Sequence, residues 1–355
     1  NNNVENTELL RTYGSITLDD VDVVDNTINA PNHSLIEFHE PSVSTASTMY
    51  VSGVNISSNS ILSNGSSLLR VDTKDTATNV YFQASVRGTY NRGLVAYNKL
   101  QDVAAIHIGD DVESNIVLSI KEFDFEENYV DLTNTNIKRG AALYLHNIYS
   151  NDESLESIRF ENNGIDAAGV GSNNHYSAMS TANLYGAGLY ALNDLTTTPK
   201  LANAAVGINN VEFTKNISSY GGGMYLKETV DTLIQGSTKF EGNAAVDGAA
   251  IYVDSTDDNV TGRGNISLDS TEFRYNGAIL KDREDGLTDL LDISGVSDAM
   301  KTGSIIYFKA VGLTGEGAGV SVSMNLTNPI INYNYAKDGV IKLGNSKDAN
   351  RIRST

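Results

Sequence analysis

The sequence predicts an all-β fold, a right-handed parallel β-helix of about nine coils with three short strands in each coil. A four-residue phrase, Phe-x-x-Asn, occurs five times, and most copies precede a second phrase, Gly-small-small-aliphatic-Tyr. Self-similarity at a period of about 20–50 residues marks an architecture of stacked repeats, in which each repeat buries its apolar face against its neighbours. The phenylalanines of the first phrase are Phe125, Phe160, Phe213, Phe240 and Phe273.

The first two strands of each coil are predicted from apolar residues upstream of the Asn, which follow the pattern apolar-x-apolar-x-x-apolar-x-Phe-x-x-Asn. Two apolar residues one position apart form the inward face of a short strand, because side chains alternate across a strand. The two residues between the pairs form a bend, and the second strand closes at the Asn. The same offsets fit copies that end at Asn26, Asn59 and Asn334, and they fit poorly a ninth copy that ends at Asn91.

The Asn and Gly residues are expected to form the corners, because both tolerate left-handed backbone angles at low cost. The Gly phrase then opens the third strand. With coils about 4.8 Å apart, Phe rings at identical positions should stack inside the rod, and corner Asn side chains should form an amide ladder along it. The predicted ladder consists of Asn26, Asn59, Asn128, Asn163, Asn216, Asn243, Asn276 and Asn334.

Two repeats carry insertions, which in solenoids form loops on one side of the stack and often bind partners. Insertion 164–185 is rich in small and polar residues, and insertion 277–302 holds several acidic residues. We interpret residues 1–355 as one continuous β-helix domain. Because the open ends of a β-helix need caps, we expect this domain to be a portion of a longer protein.

The composition gives little support to nucleic-acid binding, since the net charge is −19 and the basic residues are scattered. The absence of cysteine excludes disulfides and thiolate metal sites. No apolar run approaches a membrane-spanning length of about 18 residues, and no signal peptide is visible. The chain has seven Asn-x-Ser/Thr sequons, a number expected by chance, of which Asn259 and Asn265 are the positions most suited to glycosylation.

The residues offer little catalytic chemistry. A glycosidase needs two carboxylates about 5–9 Å apart, and Glu126 and Glu161 occupy matching positions on adjacent coils. Both are interpreted as solvated corner residues. The charged run that begins at Asp282 is interpreted as a solvated part of an inserted loop. We predict no catalytic residue, metal site or cofactor. The five histidines lack metal-ligand spacing and are expected to be exposed strand or loop residues; they are His33, His39, His107, His146 and His175.

A tyrosine column is the one candidate binding surface on the strands. If the aliphatic residue of the Gly phrase points inward, the Tyr beside it points outward. An aromatic stripe suits stacking on carbohydrate or a protein interface. The alternative is that the rings only cover the sheet or lie under an inserted loop. The column consists of Tyr144, Tyr190, Tyr225, Tyr252 and Tyr307.

The paired phrases resemble the repeat of the polymorphic outer-membrane proteins, a family of autotransporter adhesins. The resemblance is strong from Leu118 to Tyr252, although only Gly221 and Gly222 keep the double glycine of that repeat. It implies a right-handed parallel β-helix displayed outside a cell and working in adhesion. The C-terminal membrane barrel of the family is missing from these residues, so membrane attachment would use other parts of the protein.

The expected function is therefore that of an extracellular, non-enzymatic surface module, either an adhesin or a structural component of a cell-surface or filament assembly. Binding would use the insertions 164–185 and 277–302 or the tyrosine face. The expected partner is a surface protein or glycan of a host or neighbouring cell, or further copies of the chain. The alternative is a polysaccharide-active β-helix enzyme, a lyase or a glycoside hydrolase.

Overall fold

The computed structural model describes residues 2–39, 47–72, 78–83, 92–114, 116–148, 155–166, 175–192, 206–227, 232–255, 265–277, 280–282, 288–290, 303–310 and 323–343. The prediction of a parallel β-helix is confirmed. Three sheets of nine or ten strands run along the described rod, and successive strands of each sheet come from successive coils and pair in parallel. A right-handed coil is the sense that parallel crossovers favour.

We number the sheets in the order in which a coil passes through them. Sheet 1 carries the first apolar pair of each repeat; its strands are Ile16–Asp19, Ser47–Ser52, Thr78–Gln83, Ile116–Lys121, Leu155–Glu156, Val206–Asn209, Thr232–Gln235, Asn265–Asp269 and Ser323–Thr327. Sheet 2 carries the Phe position; its strands are Asp22–Val24, Asn55–Ser57, Gly93–Ala96, Phe123–Glu126, Arg159–Glu161, Glu212–Thr214, Lys239–Glu241, Glu272–Arg274 and Ile330–Asn332.

Sheet 3 carries the Tyr position; its strands are Leu10–Tyr13, Ile36–His39, Leu69–Asp72, Ile106–Ser114, Leu143–Ile148, Leu189–Leu192, Met224–Lys227, Ile251–Ser255, Ile306–Ala310 and Ile341–Leu343. A shorter sheet 4 lies after the Asn corner; its strands are Asn3–Glu5, Thr27–Asn29, Ser60–Ile61, Lys99–Leu100 and Tyr129–Val130. Isolated parallel bridges continue sheet 4 through Gly164, Ile217 and Ala244. The early coils therefore have a fourth strand that the sequence pattern did not predict.

The remaining elements lie in or beside the insertions. A helix spans His175–Thr181, and strand Leu184–Tyr185 after it pairs in parallel with Lys138–Arg139. Met179 is buried against the core, so part of insertion 164–185 belongs to the packed structure. In insertion 277–302 the strands Leu280–Asp282 and Thr288–Leu290 form an antiparallel pair.

At the described corners from Asn26 to Asn334, the residue before the corner Asn takes the left-handed conformation and the Asn itself does not. The φ of that preceding residue lies between 50° and 64° at nine consecutive corners. The prediction that Asn supplies the left-handed angle is thus wrong. The Asn side chain instead turns inward, where its amide group forms hydrogen bonds. The left-handed residues are Asp25, Ser58, Tyr97, Glu127, Asn162, Lys215, Gly242, Tyr275 and Tyr333.

The phenylalanines stack along the centre of the rod. All five predicted rings are fully buried, and consecutive ring centroids lie 4.7–5.2 Å apart with interplanar angles of at most 16°. Burial of one such side chain contributes about 1.5–3 kcal/mol. Upstream of Phe125 the stack gives way to Val95, and Phe123 fills the space beside Gly93, where any Cβ would overlap the Phe123 ring.

Candidate functional site

The asparagine ladder is continuous along the described rod, and the eight asparagines predicted for it all lie in it. Two further members are Asn2 and Asn98. Asn98 takes the place that the sequence pattern gave to Asn91, which lies outside the described residues. The fixed offsets failed there because the chain between strands Thr78–Gln83 and Gly93–Ala96 is longer than the usual two-residue bend.

The ladder is directional. The Nδ2 of each Asn donates to the Oδ1 of the Asn one coil further along, at 2.8–3.1 Å, and in most steps the backbone N–H donates to the same oxygen. The second Nδ2 hydrogen of most members goes to the carbonyl at the Phe position of the preceding coil, as from Asn163 to Phe125 at 2.8 Å. In the Asn–Asn bonds the donors thus face the C-terminal end of the rod and the Oδ1 acceptors face the N-terminal end, whereas the second Nδ2 hydrogen points back to the preceding coil.

The five tyrosines form a column on the outer face of sheet 3, where they pair in register. Neighbouring ring centroids lie 4.8–5.3 Å apart. The rings of Tyr144, Tyr190, Tyr225 and Tyr252 are nevertheless only 2–6% exposed, and Tyr307 is half-buried. The prediction of an exposed aromatic stripe is therefore wrong.

A second aromatic row covers part of this column. Tyr185 packs edge-on against Tyr225 at 5.0 Å between centroids, and Tyr220 packs in the same way against Tyr252 at 5.3 Å. Together with Val103 and other apolar residues they form an apolar cluster outside the main core. The alternative interpretation, in which the rings cover the sheet, describes what the structure contains.

One tyrosine of the column also makes a polar contact. The Tyr225 hydroxyl donates to Asp254 Oδ2 at 2.7 Å, on the next coil. Burial and the Asp254 charge raise the pKa of Tyr225 far above its ordinary range, so the hydroxyl remains a donor. The column is therefore tied to its neighbours by stacking and, at this point, by hydrogen bonding.

Towards the N-terminal end, the same outer face of sheet 3 carries charges instead of rings. Arg11, Glu37 and Arg70 occupy the register of the tyrosines, and His39 and Asp72 lie two residues further along their strands. We call these five residues and Glu8 the ionic cluster. Three of its members are basic and three acidic, so its charges balance when His39 is protonated.

His39 lies between two carboxylates at the centre of the ionic cluster. Its Nε2 is 3.0 Å from Glu37 Oε2, and its Nδ1 is 3.1 Å from Asp72 Oδ2. Hydrogen bonds to Asp72 and Glu37 raise the pKa of His39 to about 9. Burial opposes the charge on Glu37, but hydrogen bonds from His39, the Ser34 N–H and Arg11 outweigh it and lower the pKa of Glu37 to about 2.

Glu8, His33 and Glu37 place one possible metal-ligating atom each within 4.8 Å of one another. The Arg11 guanidinium already contacts all three side chains. Its Nε lies 3.0 Å from Glu8 Oε1, and its Nη2 lies 2.8 Å from Glu37 Oε2 and 3.1 Å from His33 Nδ1. Because the cation among these three ligands is an arginine, we assign them to ion pairing.

The expectation that the histidines are exposed is wrong for His107 and His146, which are buried. The His107 ring stacks on Tyr144 with centroids 4.3 Å apart, and burial lowers its pKa well below the ordinary value. His33 and His39 are partly buried, and the side chain of His175 lies outside the described residues. His39, His107 and His146 all lie in strands of sheet 3. This alignment was missed because the strands that carry His39 and His107 lack the Gly phrase.

The acidic candidates of the sequence are engaged in ion pairs. Glu126 and Glu161 do lie in register on adjacent strands. Both contact the Arg159 guanidinium, which also reaches Asp124 at 3.2 Å. Two coils further along, Lys239 pairs with Glu241 at 2.8 Å. These contacts form a strip of alternating charge on the outer face of sheet 2.

The structure describes only some of the remaining predicted positions, which are the charged run at Asp282, the two sequons and insertion 164–185. Asp282 ends a short strand, and the three charged residues after it lie outside the described residues. Asn259 also lies outside them, and Asn265 begins a strand of sheet 1. In the part of insertion 164–185 that the structure describes, the Ala182 carbonyl accepts a hydrogen bond from the buried Lys138 Nζ at 2.8 Å.

Comparison with protein-family models, curated proteins and solved structures found no match to this chain. No helix among the described residues is long and apolar enough to span a membrane.

Proposed function

We propose that this chain is an extracellular, non-enzymatic surface module that forms a stiff β-helical rod in an adhesin or in a structural cell-surface or filament assembly. The observation that carries the proposal is the asparagine ladder, which ties every described coil to the next through buried hydrogen bonds. Such a rod holds its two ends and its insertions at fixed separations, which is the mechanical requirement of a displayed module.

The electrostatics of the described face support a non-catalytic role. General acid–base catalysis is most efficient when a group titrates near the working pH. In the ionic cluster the pKa values instead move away from neutral pH, since the pKa of Glu37 falls to about 2 and that of His39 rises to about 9. Both groups are thus held charged at neutral pH and stabilise the fold.

The resemblance to the polymorphic outer-membrane protein repeat supports the same proposal and suggests a protein or glycan on another cell as the partner. Because the tyrosine column is covered, we assign binding to the insertions 164–185 and 277–302. No role in nucleic-acid binding is proposed, since the net charge is −19.

Binding of the labelled chain to immobilised glycans and to intact cells tests this proposal. Replacing residues 167–174 or 291–300 by a Gly/Ser linker of equal length should reduce binding about tenfold or more for one of the two insertions, a loss of roughly 1.4 kcal/mol. The same replacement of residues 256–260 is the control and should leave binding unchanged. Equal binding by all three variants would contradict the assignment to the insertions.

A second candidate function, a polysaccharide-active enzyme, has one observation in its favour, the in-register pair Glu126 and Glu161. Hydrolysis of a glycosidic bond uses two carboxylates that flank it, about 5–9 Å apart. The shared ion pair with Arg159 disfavours it, because the guanidinium already contacts both of the carboxylates that would have to flank the glycosidic bond.

A further inference from the structure

Two columns of side chains run along the outer face of sheet 2. They come from the residues on either side of the buried Phe, because the neighbours of an inward residue in a strand point outward. Over four successive coils all eight of these residues are at least partly exposed, and we call them the charged face. The column before the Phe consists of Arg159, Glu212, Lys239 and Glu272. The column after the Phe consists of Glu161, Thr214, Glu241 and Arg274.

The charged face is nearly neutral, although the chain is strongly acidic. It holds three basic and four acidic side chains, a net charge of −1, whereas the whole chain carries −19. Two copies of so acidic a chain repel each other through their net charge. The charged face contributes almost nothing to that repulsion, so it is a surface through which two copies can approach.

The order of the charges makes the charged face complementary to a second copy of itself. Consider a two-fold axis that runs parallel to the strands, midway between strands Glu212–Thr214 and Lys239–Glu241. Rotation about this axis reverses the direction of the rod and places each column opposite the same column of the second copy. Opposite charges then meet in three kinds of contact, each of which occurs twice, and no like charges are directly opposed within the charged face. The contacts between opposite charges are Glu212 with Lys239, Arg159 with Glu272, and Glu161 with Arg274.

A parallel arrangement of the two rods is less favourable. A two-fold axis along the rod exchanges the columns, so that the two outward residues of each strand oppose each other. This is attractive in three of the four strands of the charged face, but in the preceding strand Phe123–Glu126 it sets Asp124 against Glu126 twice. The antiparallel arrangement places these acids opposite Ile330 and Asn332, which are uncharged. The order of the charges therefore favours the antiparallel pair.

We propose that two copies of this chain associate side by side, with their rods antiparallel, through the charged face of sheet 2. The strands there pair in parallel with unbroken register, so the charges repeat at the coil spacing of about 4.8 Å. An interface of this symmetry uses one self-complementary surface twice. Because Lys239 already pairs with Glu241 in its own chain at 2.8 Å, part of the attraction replaces existing contacts. A contact of four coils is also small, and we expect a reversible dimer with a Kd of roughly 1–100 µM.

Antiparallel pairing suits rods that project towards each other from two surfaces. This consequence rests on the proposed extracellular role, and it identifies a second copy on a neighbouring cell as a partner. Many weak contacts between two such surfaces would act together, because the first contact raises the effective concentration for the next. The dimer itself needs neither display on a cell nor the insertions 164–185 and 277–302.

Charge reversal at Glu212 and Lys239 tests this arrangement. Glu212→Lys sets a lysine opposite Lys239 of the second copy, and Lys239→Glu sets a glutamate opposite Glu212. The Kd of each variant for its own copies should rise by about 5-fold or more, since two attractive contacts become repulsive.

An equimolar mixture of the two variants provides the decisive comparison. In the mixed dimer the introduced lysine faces the introduced glutamate, and the original Lys239 faces the original Glu212. The mixture should therefore regain the Kd of the unchanged chain. Loss of stability within one chain cannot produce this recovery. In a parallel dimer Glu212 would face Thr214, and the mixture would not recover.

Sedimentation equilibrium over a concentration series up to about 0.5 mM measures this association. Matched controls reverse charges at exposed positions of sheet 4, Glu5→Lys and Lys99→Glu, and change the net charge by the same amounts. The expected result is a dimer of the unchanged chain, weaker association of each charged-face variant, recovery in their mixture and smaller effects of the controls. A monomer at every concentration, no recovery in the mixture, or equal effects of the controls would overturn the proposal. The cell- and glycan-binding assay changes the insertions and leaves the charged face intact, so the failure of one proposal is distinguishable from the failure of the other.

Discussion

Asn163 Oδ1 accepts a hydrogen bond from Asn128 Nδ2 at 2.9 Å, while Asn163 Nδ2 donates to the Phe125 carbonyl at 2.8 Å. The Asn128 backbone N–H reaches the same oxygen at 3.2 Å. Both side chains are fully buried. A single amide therefore satisfies three polar groups of the preceding coil, and this relationship recurs along the rod.

Removing this amide should be costly. Asn163→Ala leaves three polar groups of the preceding coil without partners, and each orphaned buried group costs about 1–3 kcal/mol. We expect the free energy of unfolding to fall by at least about 3 kcal/mol in urea titrations. Asn334→Ala should cost less, because that end of the ladder is only partly buried. Asn3→Ala, at an exposed position, should change stability by no more than about 0.5 kcal/mol. Equal losses for all three variants would contradict the role of the ladder.

The ionic cluster should give the rod a two-sided pH dependence. The pKa of His39 is raised to about 9 in the fold, so its contribution is full below about 6.5 and is lost as pH rises from there to about 9. The pKa of Glu37 is lowered to about 2, so its contribution is full above about 4.5 and is lost as pH falls towards 2.

Unfolding free energies measured across this range should form a plateau between about pH 4.5 and 6.5, with slopes approaching 1.4 kcal/mol per pH unit for one proton. His39→Gln should remove the alkaline slope, and Glu37→Gln should remove the acid slope that this carboxylate contributes. An unchanged alkaline slope in His39→Gln would show that another group causes it.

The left-handed corners predict opposite effects for neighbouring glycine substitutions. Ser58 has φ 56° and is exposed, whereas Ser57 lies in strand Asn55–Ser57. Because the left-handed region costs a non-glycine residue about 1–2 kcal/mol, Ser58→Gly should stabilise the fold by up to about 1 kcal/mol. Ser57→Gly should destabilise it by about 0.5–1 kcal/mol, since glycine in a strand loses more conformational freedom. Thermal unfolding of the two variants compares them, and a shift of the same sign for both would refute this explanation.

The packing of Phe123 against Gly93 should appear as coupling between the two sites. A Cβ at position 93 would overlap the Phe123 ring, so Gly93→Ala should cost about 1–3 kcal/mol through overpacking. Phe123→Leu frees that space, and the double variant should be more stable than the sum of the single losses implies. A double-mutant cycle in urea measures this coupling, and strict additivity would argue against the contact.

The sequence predicted the central stack and most of the ladder because Phe213 and Asn216, like their equivalents, recur at fixed offsets that stacking turns into contacts. It missed Asn98, since the offsets do not extend across a longer bend. It also missed the Glu37–His39 pair, because the strand that carries it has no Gly phrase and could not be aligned.

The exposure of the tyrosines was predicted wrongly for a physical reason. Tyr185 and Tyr220 precede the Gly corners, and each packs against the column tyrosine of the next coil, as in the Tyr185–Tyr225 contact. Alternation along one strand indicates which face a side chain takes. It does not indicate whether a second row covers that face.

Whether the rod is non-enzymatic is decided by measuring product release from a panel of neutral and acidic polysaccharides, with and without calcium. New reducing or unsaturated ends would be quantified for the chain and for the variants Glu126→Gln and Glu161→Gln. We expect no turnover above buffer for any of the three proteins on any substrate. Turnover by the chain that is lost in both variants would contradict it and would assign catalysis to the carboxylate pair beside Arg159.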